Sequence, residues 1–348
     1  MRILLTGGAG FIGSHIALLL LQNGYEVVIY DSFANSSQNV INAIKAYLDN
    51  NQLNYRLITI KGDIRDKNLL FKTFKDAHKQ NNPIQAVIHL AGLKSVYESV
   101  TNPLLYWDVN VSGTQNLLSA MSEYKCYTIV FSSSATVYGF AGSDPIKEEH
   151  KLSPINTYGK TKVAIENMLD DVFKSKYGFW KICSLRYFNP VSAHPSGCIG
   201  EAPIGVPNNL FPFISQVAIG RRESLKVLGD DWDTKDGSGV RDYIHIMDLS
   251  EGHLDALSYL KDNKSCYEFI NLGSGIGYSV FEIINEFEMS TGCSIPYEIH
   301  PRREGDLARC YADISKAKKI LGWTPKRSLK QICKDGWNWQ SKCPNGYK

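Results

Sequence analysis

The sequence lacks long apolar runs and paired cysteines. The longest purely apolar stretch near its start, Ile16 to Leu21, is far shorter than the roughly 20 residues that a membrane-spanning helix needs, and no signal-peptide pattern precedes it. Eight cysteines are scattered without a CxxC pair, which indicates neither a zinc site nor a disulfide framework. We therefore expect a cytoplasmic protein with free thiols and no metal.

An excess of charge of one sign is also missing. Lys and Arg (38) against Asp and Glu (35) give a net charge of +3, too small for a surface field that would gather nucleic acid or an anionic membrane. The 43% of hydrophobic residues is ordinary for a water-soluble globular protein. At roughly 100 to 200 residues per domain, the 348 residues favour two domains, or one large domain with a lobe. Any anionic ligand must be bound locally.

Short β-rich runs alternate with helical patterns from residue 1 to about 190, which is typical of βαβ units. The predicted fold class is α/β, with a Rossmann-type doubly wound parallel sheet in residues 1–189 and a smaller mixed α/β lobe for the substrate in residues 190–348. The segment 241–260 is predicted to be a strand and a helix that return to the first domain. Ligands of such sheets bind at the carboxyl ends of the strands. The predicted strands are Arg2–Thr6, Glu26–Asp31, Tyr55–Lys61, Ala86–Leu90, Thr128–Ser132 and Lys181–Arg186.

A glycine-rich turn follows the first predicted strand. Gly8, Gly10 and Gly13 have GxGxxG spacing and precede the helical pattern Ser14–Asn23. Such glycines let the backbone approach a pyrophosphate, and the helix N-terminus supplies free N–H donors. Asp31 ends the second strand, 18 residues after Gly13, where a carboxylate accepts both ribose hydroxyls and repels a 2′-phosphate. The sequence therefore predicts a site for NAD rather than NADP; the alternative for Asp31 is a surface residue that caps a turn.

A tyrosine and a lysine lie four residues apart at the start of a predicted helix. Tyr158 and Lys162 share one face at this spacing. A phenol of pKa about 10 needs a shift near three units, roughly 4 kcal/mol, to act as a base at neutral pH. One charge at about 4 Å supplies an energy of that order, so the ammonium and a positive nicotinamide together suffice. Ser134, in the serine run that ends the fifth strand, can bind the substrate oxygen, unless these hydroxyls only satisfy backbone groups. We predict that Tyr158, Lys162 and Ser134 are catalytic.

Together these motifs resemble the extended short-chain dehydrogenase/reductase family and, within it, the sugar-nucleotide epimerases. The resemblance covers nearly the whole chain and implies a retained NAD, a UDP-sugar substrate, and interconversion of UDP-galactose and UDP-glucose through a 4-keto intermediate. It also implies a homodimer, for which Pro103 to Met121 offers apolar positions. The motifs, of which the last four are specific to the epimerases, are Thr6–Gly13, His89–Lys94, Phe131–Gly139, Tyr158–Lys162, Arg186–Pro190, Pro207–Leu210, Gly239–His245 and Pro301–Asp306.

The resemblance also implies the binding residues. Arg241 and Arg303 are two fixed cations for a diphosphate, although each could instead be a structural salt-bridge partner. Asp63 could likewise be an ordinary loop carboxylate. The residues implied for NAD are Gly7, Gly8, Gly10, Phe11, Ile12, Gly13, Asp31, Asn35, Asp63, Ile64, Leu90, Ala91, Gly92, Lys94, Tyr158, Lys162 and Tyr187. Those implied for the UDP-sugar are Lys94, Ser134, Tyr158, Phe188, Asn189, Asn208, Asn209, Leu210, Arg241, Arg303, Asp306 and Cys310.

Three positions depart from the family pattern. Ser192 stands where the family usually has glycine, which raises a question about the backbone of that loop, and Leu90 replaces an aromatic residue seen in some members. Cys310 stands where some members have a bulky tyrosine against the sugar. Because cysteine frees the volume of a ring, we expect UDP-GlcNAc and UDP-GalNAc to be accepted as well. The alternative is a buried thiol that acts as a small hydrophobe.

Two other functions are compatible with parts of this pattern. A sugar-nucleotide 4,6-dehydratase begins in the same way but needs an acid and a base for elimination, and its relatives have an Asp-Glu pair where this chain has Ala135 and Thr136. A non-catalytic NAD-sensing protein would not need Tyr158 with Lys162. The sequence therefore lacks catalytic groups that the dehydratase needs, and the NAD-sensing alternative leaves Tyr158 and Lys162 without a role.

Overall fold

The computed structural model describes residues 1–139, 145–175, 178–203, 205, 207, 209–303 and 305–347, so the predicted site residue Asn208 lies outside the described part. The helices are α1 (Phe11–Gln22), α2 (Gln38–Asn50), α3 (Lys67–Lys79), α4 (Val96–Thr101), α5 (Pro103–Tyr106), α6 (Gly113–Glu123), α7 (Thr157–Lys174), α8 (Leu210–Ala218), α9 (Ile246–Asp262), α10 (Val280–Thr291), α11 (Ser315–Leu321) and α12 (Leu329–Lys342). The strands are β1 (Arg2–Thr6), β2 (Glu26–Asp31), β3 (Arg56–Lys61), β4 (Ile84–His89), β5 (Thr128–Ser134), β6 (Lys181–Tyr187), β7 (Asn189–Val191), β8 (Leu225–Leu228), β9 (Val240–His245), β10 (Cys266–Leu272), β11 (Gly277–Ser279), β12 (Tyr297–His300) and β13 (Arg309–Cys310).

Seven parallel strands of the described chain form one large sheet in the order β10-β6-β5-β4-β1-β2-β3. One core packs α1, α2 and α9 on one face, and a second core packs α3, α6 and α7 on the other. Every residue of β1 is buried, as expected for an inner strand covered on both faces. The predicted doubly wound α/β fold is confirmed, and the six predicted strands all lie in this sheet, most of them within two residues of the predicted ends.

The strand and the helix of the segment 241–260, which we predicted to return to the first domain, contact different sheets. α9 packs on the large sheet, but β9 pairs with β7, β11 and β13 in a separate sheet. The seventh strand of the large sheet is β10, which the sequence analysis did not predict. β10 lies at the edge of the sheet, and its first four residues, which include Glu268, are only half-buried. It therefore lacks the continuous apolar run that marks inner parallel strands.

The smaller lobe has its own core, in which α8, α10 and α12 pack together with residues of β7, β8 and β9. Ser192, which follows β7, adopts φ +79°, a conformation that favours glycine. Its hydroxyl donates to the carbonyl of Ile332 at 2.8 Å and lies 3.2 Å from Nε2 of His245. The loop thus keeps a glycine-like backbone, and these contacts with α12 and β9 offset the strain.

Among the residues that the structure describes, no helix combines the length and apolarity that crossing a bilayer requires. The same residues contain no group of three or more His, Cys, Asp or Glu side chains arranged to hold a metal ion.

Candidate active site

The turn between β1 and α1 contains several glycines, and the physical reason for having glycine differs from one position to the next. Gly7 has φ +70°, and a Cβ there would lie 2.7 Å from the nitrogen of Ala91. A Cβ at Gly13 would lie 2.3 Å from the oxygen of Gly7, so the chain itself requires glycine at both positions. At Gly10 a Cβ would meet, within the described residues, just the oxygen of Gly7 at 3.3 Å. The bare backbone at Gly10 therefore leaves room for a ligand that approaches the turn.

The N-terminus of α1 fits an anionic ligand. Gly10 is its N-cap and supplies no side-chain cap, and Phe11 and Ile12 begin the first turn. The first N–H groups of a helix have no partner inside the helix, and they carry partial positive charge. The turn and this helix end are therefore suited to the pyrophosphate of a dinucleotide.

Asp31 is buried at the end of β2 and binds the glycine turn directly. Its Oδ2 accepts from the N–H of Ala9 at 2.9 Å, and its Oδ1 accepts from the N–H of Phe33 at 2.8 Å and from Oγ of Ser36 at 3.0 Å. The turn-capping alternative thus describes part of its role. A carboxylate has about four acceptor positions, and these three contacts leave Asp31 one position for a ribose hydroxyl. Asn35 is exposed in the same loop.

Asp63 follows β3 and is paired with Arg65. Oδ2 of Asp63 lies 2.7 Å from Nη2 of Arg65, and this hydrogen bond holds the pKa of the Asp63 carboxyl below its usual value. The next residue, Ile64, is buried and packs where Gly113 of α6 has no side chain. The structure therefore gives the Asp63 carboxylate a partner in its own loop. A contact between Asp63 and the adenine of NAD stays a prediction.

The loop after β4 holds Leu90, Ala91, Gly92 and Lys94. Leu90 donates its N–H to the carbonyl of Thr6 at the end of β1, so this loop borders the glycine turn. Asn110, which sequence reasoning did not identify, fixes the loop by accepting from the N–H of Leu93 at 2.8 Å and donating to its carbonyl at 3.0 Å.

Lys94 lies at the far end of this loop, and its side chain is 61% exposed. Its Nζ lies 3.7 Å from Oε1 of Glu201, which also accepts from Nδ2 of Asn209 at 3.5 Å. Burial raises the pKa of Glu201. Sequence reasoning missed Glu201, although a carboxylate in a segment rich in Pro and Gly was a signal. Glu201 brings together a residue predicted for the cofactor and one predicted for the substrate.

The structure brings Tyr158, Lys162 and Ser134 together where α7 meets the carboxyl end of β5. Asn156 begins α7 by accepting from the N–H of Gly159 at 2.8 Å. Nζ of Lys162 donates to the carbonyl of Ser132 at 2.7 Å and lies 5.7 Å from the ring centroid of Tyr158. Ser134 accepts from Oγ1 of Thr136 at 3.0 Å, and its side chain acts on Tyr158 by lowering the pKa of the phenol.

Burial dominates the titration of this pair. It raises the pKa of Tyr158 to about 12, an effect that the Ser134 hydrogen bond partly offsets. It also lowers the pKa of Lys162 to about 8, against the attraction of Glu166. The sequence argument counted the attraction of the ammonium and omitted desolvation. In the chain alone, Tyr158 is therefore a neutral phenol at neutral pH.

On the substrate side, two arginines converge on one carboxylate. Oδ1 of Asp306 lies 2.7 Å from Nη2 of Arg303 and 3.8 Å from Nη2 of Arg241. Arg241 also donates to the carbonyl of Leu307 at 2.8 Å. Both arginines are thus salt-bridge partners, as the alternative suggested. Because they face the same carboxylate, they also form a compact pair of cations.

The remaining predicted residues lie at the end of β6 and beyond it in the chain. The hydroxyl of Tyr187 donates to Nε2 of His253 on α9, so it supports the sheet. Asn189 donates from Nδ2 to the carbonyl of Asp242 at 3.1 Å.

Phe188 and Cys310 lie in one small apolar cluster, and Cys310 pairs with Arg241 in the β13–β9 register. The predicted specificity residue therefore lies next to a predicted UDP-binding residue. Asn209 and Leu210 begin α8.

Known proteins are similar to this chain in sequence and in fold. The family model described as GDP-mannose 4,6 dehydratase matches residues 4–336. The UDP-glucose 4-epimerase of Bacillus subtilis is 48% identical over 348 residues, which are 100% of this chain and 99% of that protein. The crystal structure of the UDP-glucose 4-epimerase from Bifidobacterium longum, in complex with NAD+ and UDP, has a TM-score of 0.93 and 43% identity, with 100% of both chains covered.

A UDP-Glc/GlcNAc 4-epimerase from Campylobacter jejuni is also similar, with a TM-score of 0.82, 32% identity and coverage of 98% of this chain and 99% of that chain. The fold and the site define an extended short-chain dehydrogenase/reductase. Within that class, the chain belongs to the UDP-glucose 4-epimerase family.

Proposed function

We propose that this chain is an NAD-dependent enzyme that interconverts UDP-galactose and UDP-glucose by inverting C4 of the sugar. The observation that carries the proposal is the placement of Tyr158, Lys162 and Ser134 at the carboxyl end of β5. The match to UDP-glucose 4-epimerases over the whole chain supports it. The first domain, residues 1–189 with α9, would bind NAD, and the lobe at 190–348 would bind the UDP-sugar.

The residues present fit NAD. The open backbone at Gly10 and the uncapped start of α1 suit the pyrophosphate, and Asp31 retains acceptor capacity for the ribose. The loop from Leu90 to Lys94 would line the nicotinamide side. Lys162 uses one of its three donors on Ser132, which leaves two for a ribose. When bound, NAD supplies a hydride acceptor and a positive charge.

In the proposed mechanism, Tyr158 takes the proton of the sugar 4-hydroxyl and Ser134 donates to the same oxygen. C4 would give up its hydride to the acceptor that bound NAD supplies, which leaves a 4-keto sugar. After this sugar turns about its phosphate linkage, its other face would take the same hydride back. Tyr158 then returns the proton. Bringing the pKa of Tyr158 from about 12 to 7 takes five units, roughly 7 kcal/mol, which must come from Lys162 and the positive charge of the bound cofactor.

The sugar must turn while the nucleotide stays fixed. Arg241 and Arg303 offer charged donors for the diphosphate, and Asn189 and Asn209 offer amide groups nearby. The nucleotide would be bound strongly and the sugar loosely. Most of the binding energy would then come from the nucleotide, which leaves the sugar able to turn.

The description of the matching family model raises the 4,6-dehydratase alternative. Elimination of water needs an acid and a base in addition to Tyr158. Ala135 packs in the apolar cluster with Phe188, and Thr136 donates its hydroxyl to Ser134. Neither residue is a carboxylate, so the epimerase proposal accounts for the site and the dehydratase does not.

Incubation of the purified chain with UDP-galactose tests the proposal. We expect UDP-glucose to form without added NAD, and NAD to be released when the protein is denatured. A dehydrated keto-sugar would contradict the proposal in favour of the dehydratase. No turnover with retained NAD would contradict it in favour of a non-catalytic NAD-sensing protein.

We propose that the same site accepts UDP-GlcNAc and UDP-GalNAc, because Cys310 is small and lies in one cluster with Phe188 beside Arg241. The Cys310→Tyr variant should lose at least about tenfold in kcat/KM for the N-acetylated pair and much less for UDP-galactose, since an added ring fills the space of the N-acetyl group. Cys266→Ser, at the edge strand β10, is a control. Equal losses on both pairs, or a wild type that leaves UDP-GalNAc untouched, would contradict this.

We also propose a cytoplasmic homodimer. The cytoplasmic location rests on the eight cysteines, which are scattered along the sequence without a CxxC pair. The dimer rests on an exposed apolar surface, which we name the α4–α5 face, formed by Val96, Tyr97, Val100, Leu104 and Trp107. A monomer rarely exposes such a contiguous patch.

A further inference from the structure

Glu166 is a buried carboxylate one helical turn beyond Lys162 on α7, and the mechanism above does not use it. It is 2% exposed. Oγ of Ser133 donates to its Oε1 at 2.6 Å, and Arg186 on β6 donates to both oxygens, from Nε at 3.0 Å and from Nη2 at 2.8 Å. Bidentate pairing and a short hydroxyl bond define the position of this carboxylate closely.

Arg186 is itself fixed from several sides. Nη1 donates to the hydroxyl of Tyr138 at 3.0 Å and to the carbonyl of Glu148 at 3.1 Å. The Tyr138 hydroxyl in turn donates to Oδ1 of Asn271 at 2.6 Å. A buried ion pair with its hydrogen bonds satisfied is costly to break, because removing one partner leaves an unpaired charge in the interior. The pair therefore fixes α7 to β5 and β6.

Three consecutive serines at the end of β5 meet three residues on one stripe of α7. Lys162 donates to the carbonyl of Ser132 and Glu166 accepts from Ser133. Ser134 acts on Tyr158 by lowering the pKa of the phenol. The spacing of four residues along α7 places its three residues on one face. A shift of Glu166 would therefore displace Lys162 and Tyr158 together.

Glu166 also affects the charge of Lys162. The titratable groups that act on Lys162 or lie beside it are Tyr158 and Glu166 on α7 and His89 on β4. From β6, Arg186 pairs with Glu166, and Tyr187 interacts with Tyr158. Burial keeps His89 neutral by lowering its pKa to about 3. Among these groups Glu166 is the carboxylate, and it opposes the effect of burial on Lys162.

We propose that Glu166 is a positioning residue for the epimerase reaction: anchored by Ser133 and Arg186, it holds Lys162 against β5 and keeps the ammonium charged next to Tyr158. This inference rests on the proposed function, in which the charge of Lys162 supports the deprotonation of Tyr158.

The direct test is a titration of Lys162 by NMR in protein labelled with [ε-13C]lysine, with Lys162→Met used to assign the signal. Glu166→Gln removes the negative charge and leaves Arg186 unbalanced, so the pKa of Lys162 should fall by about one unit. Arg186→Gln leaves the negative charge of Glu166 unbalanced, so the pKa of Lys162 should rise. Asp170→Asn is the matched control, because Asp170 lies on the same helix and pairs with exposed Lys174; it should cause no shift.

Glu166→Gln and Arg186→Gln should shift the pKa of Lys162 in opposite directions. Either variant is therefore decisive if the other does not fold. An unchanged Lys162 titration, or a shift opposite to the expected one, overturns the inference. This measurement needs no turnover. A wild type without epimerase activity therefore refutes the proposed function, whereas an active enzyme with unshifted titrations refutes the role of Glu166 alone.

Kinetics separate positioning of charge from general structural support. If the pKa of Lys162 falls from about 8 to about 7, kcat of Glu166→Gln should be close to the wild-type value at pH 6 and about fivefold lower at pH 8. A merely structural role would reduce kcat by the same factor at every pH, and that result would overturn the inference.

Discussion

Desolvation shifts the pKa values of Tyr158 and Lys162 in opposite directions. Each shift favours the neutral form of the group. Burial raises the pKa of the phenol to about 12 and lowers that of the ammonium to about 8. Without its cofactor, the pair therefore has little tendency to ionise the tyrosine. A positive charge in the site favours the phenolate electrostatically. We infer that the strength of the base depends on the oxidised cofactor, so that Tyr158 is activated only when a hydride acceptor is in place.

The Tyr158→Phe variant tests the role of the hydroxyl. The ring and its packing are kept, so the melting temperature and the affinity for UDP should change little, whereas kcat should fall by about 10²- to 10⁴-fold because general-base catalysis is lost. Steady-state kinetics with UDP-galactose and a UDP binding isotherm are the measurements. Tyr127→Phe, at a ring that stacks on exposed Phe179, is the control. Full activity of Tyr158→Phe would refute the mechanism.

At the scale of elements, the sequence predicted what is local. Inner strands such as β1 and β2 have continuous apolar runs, and the glycine turn has a fixed spacing, so both were found from the sequence. Asn110, Glu166 and Glu201 were not found, because their partners lie far away in the chain: Asn110 with Leu93, Glu166 with Arg186, and Glu201 with Lys94. Only tertiary packing reveals which polar residues are brought together.

The glycines of the β1–α1 turn give a prediction at this scale. Gly13→Ala should destabilise the fold by several kcal/mol, because its Cβ would lie 2.3 Å from the backbone oxygen of Gly7. Gly10→Ala, with its nearest described contact at 3.3 Å, should cost about 1 kcal/mol but lose bound NAD. Urea unfolding and nicotinamide content after denaturation measure the two effects. A Gly10→Ala protein that retains full NAD would show that the turn does not approach the cofactor.

At the scale of the whole molecule, β9 and α9 join the two parts of the site. β9 carries Arg241 in the sheet of the smaller lobe, and His245 at its end accepts from the N–H of Met247 to begin α9. α9 then packs on the large sheet, where His253 binds Tyr187. One continuous segment thus connects Arg241, which is predicted to bind the nucleotide, with the large sheet of the predicted cofactor domain. This geometry suits a reaction in which the sugar moves and the lobes do not.

The α4–α5 face gives the last prediction. Tyr97 and Leu104 are each 81% exposed there, and a partner that covers them would remove a large apolar area from water. Light scattering should show a dimer for the wild type and a monomer for Leu104→Asp, because a charge buried in an apolar interface without a partner is strongly unfavourable.

Met289→Asp is the control, since Met289 is another exposed apolar residue, on α10, and this variant should remain dimeric. Because Asp31 and Lys162 are held by contacts within their own chain, the Leu104→Asp monomer should retain NAD while its melting temperature falls. A monomeric wild type, or a Leu104→Asp protein that still forms dimers, would show that this face is not the contact between subunits.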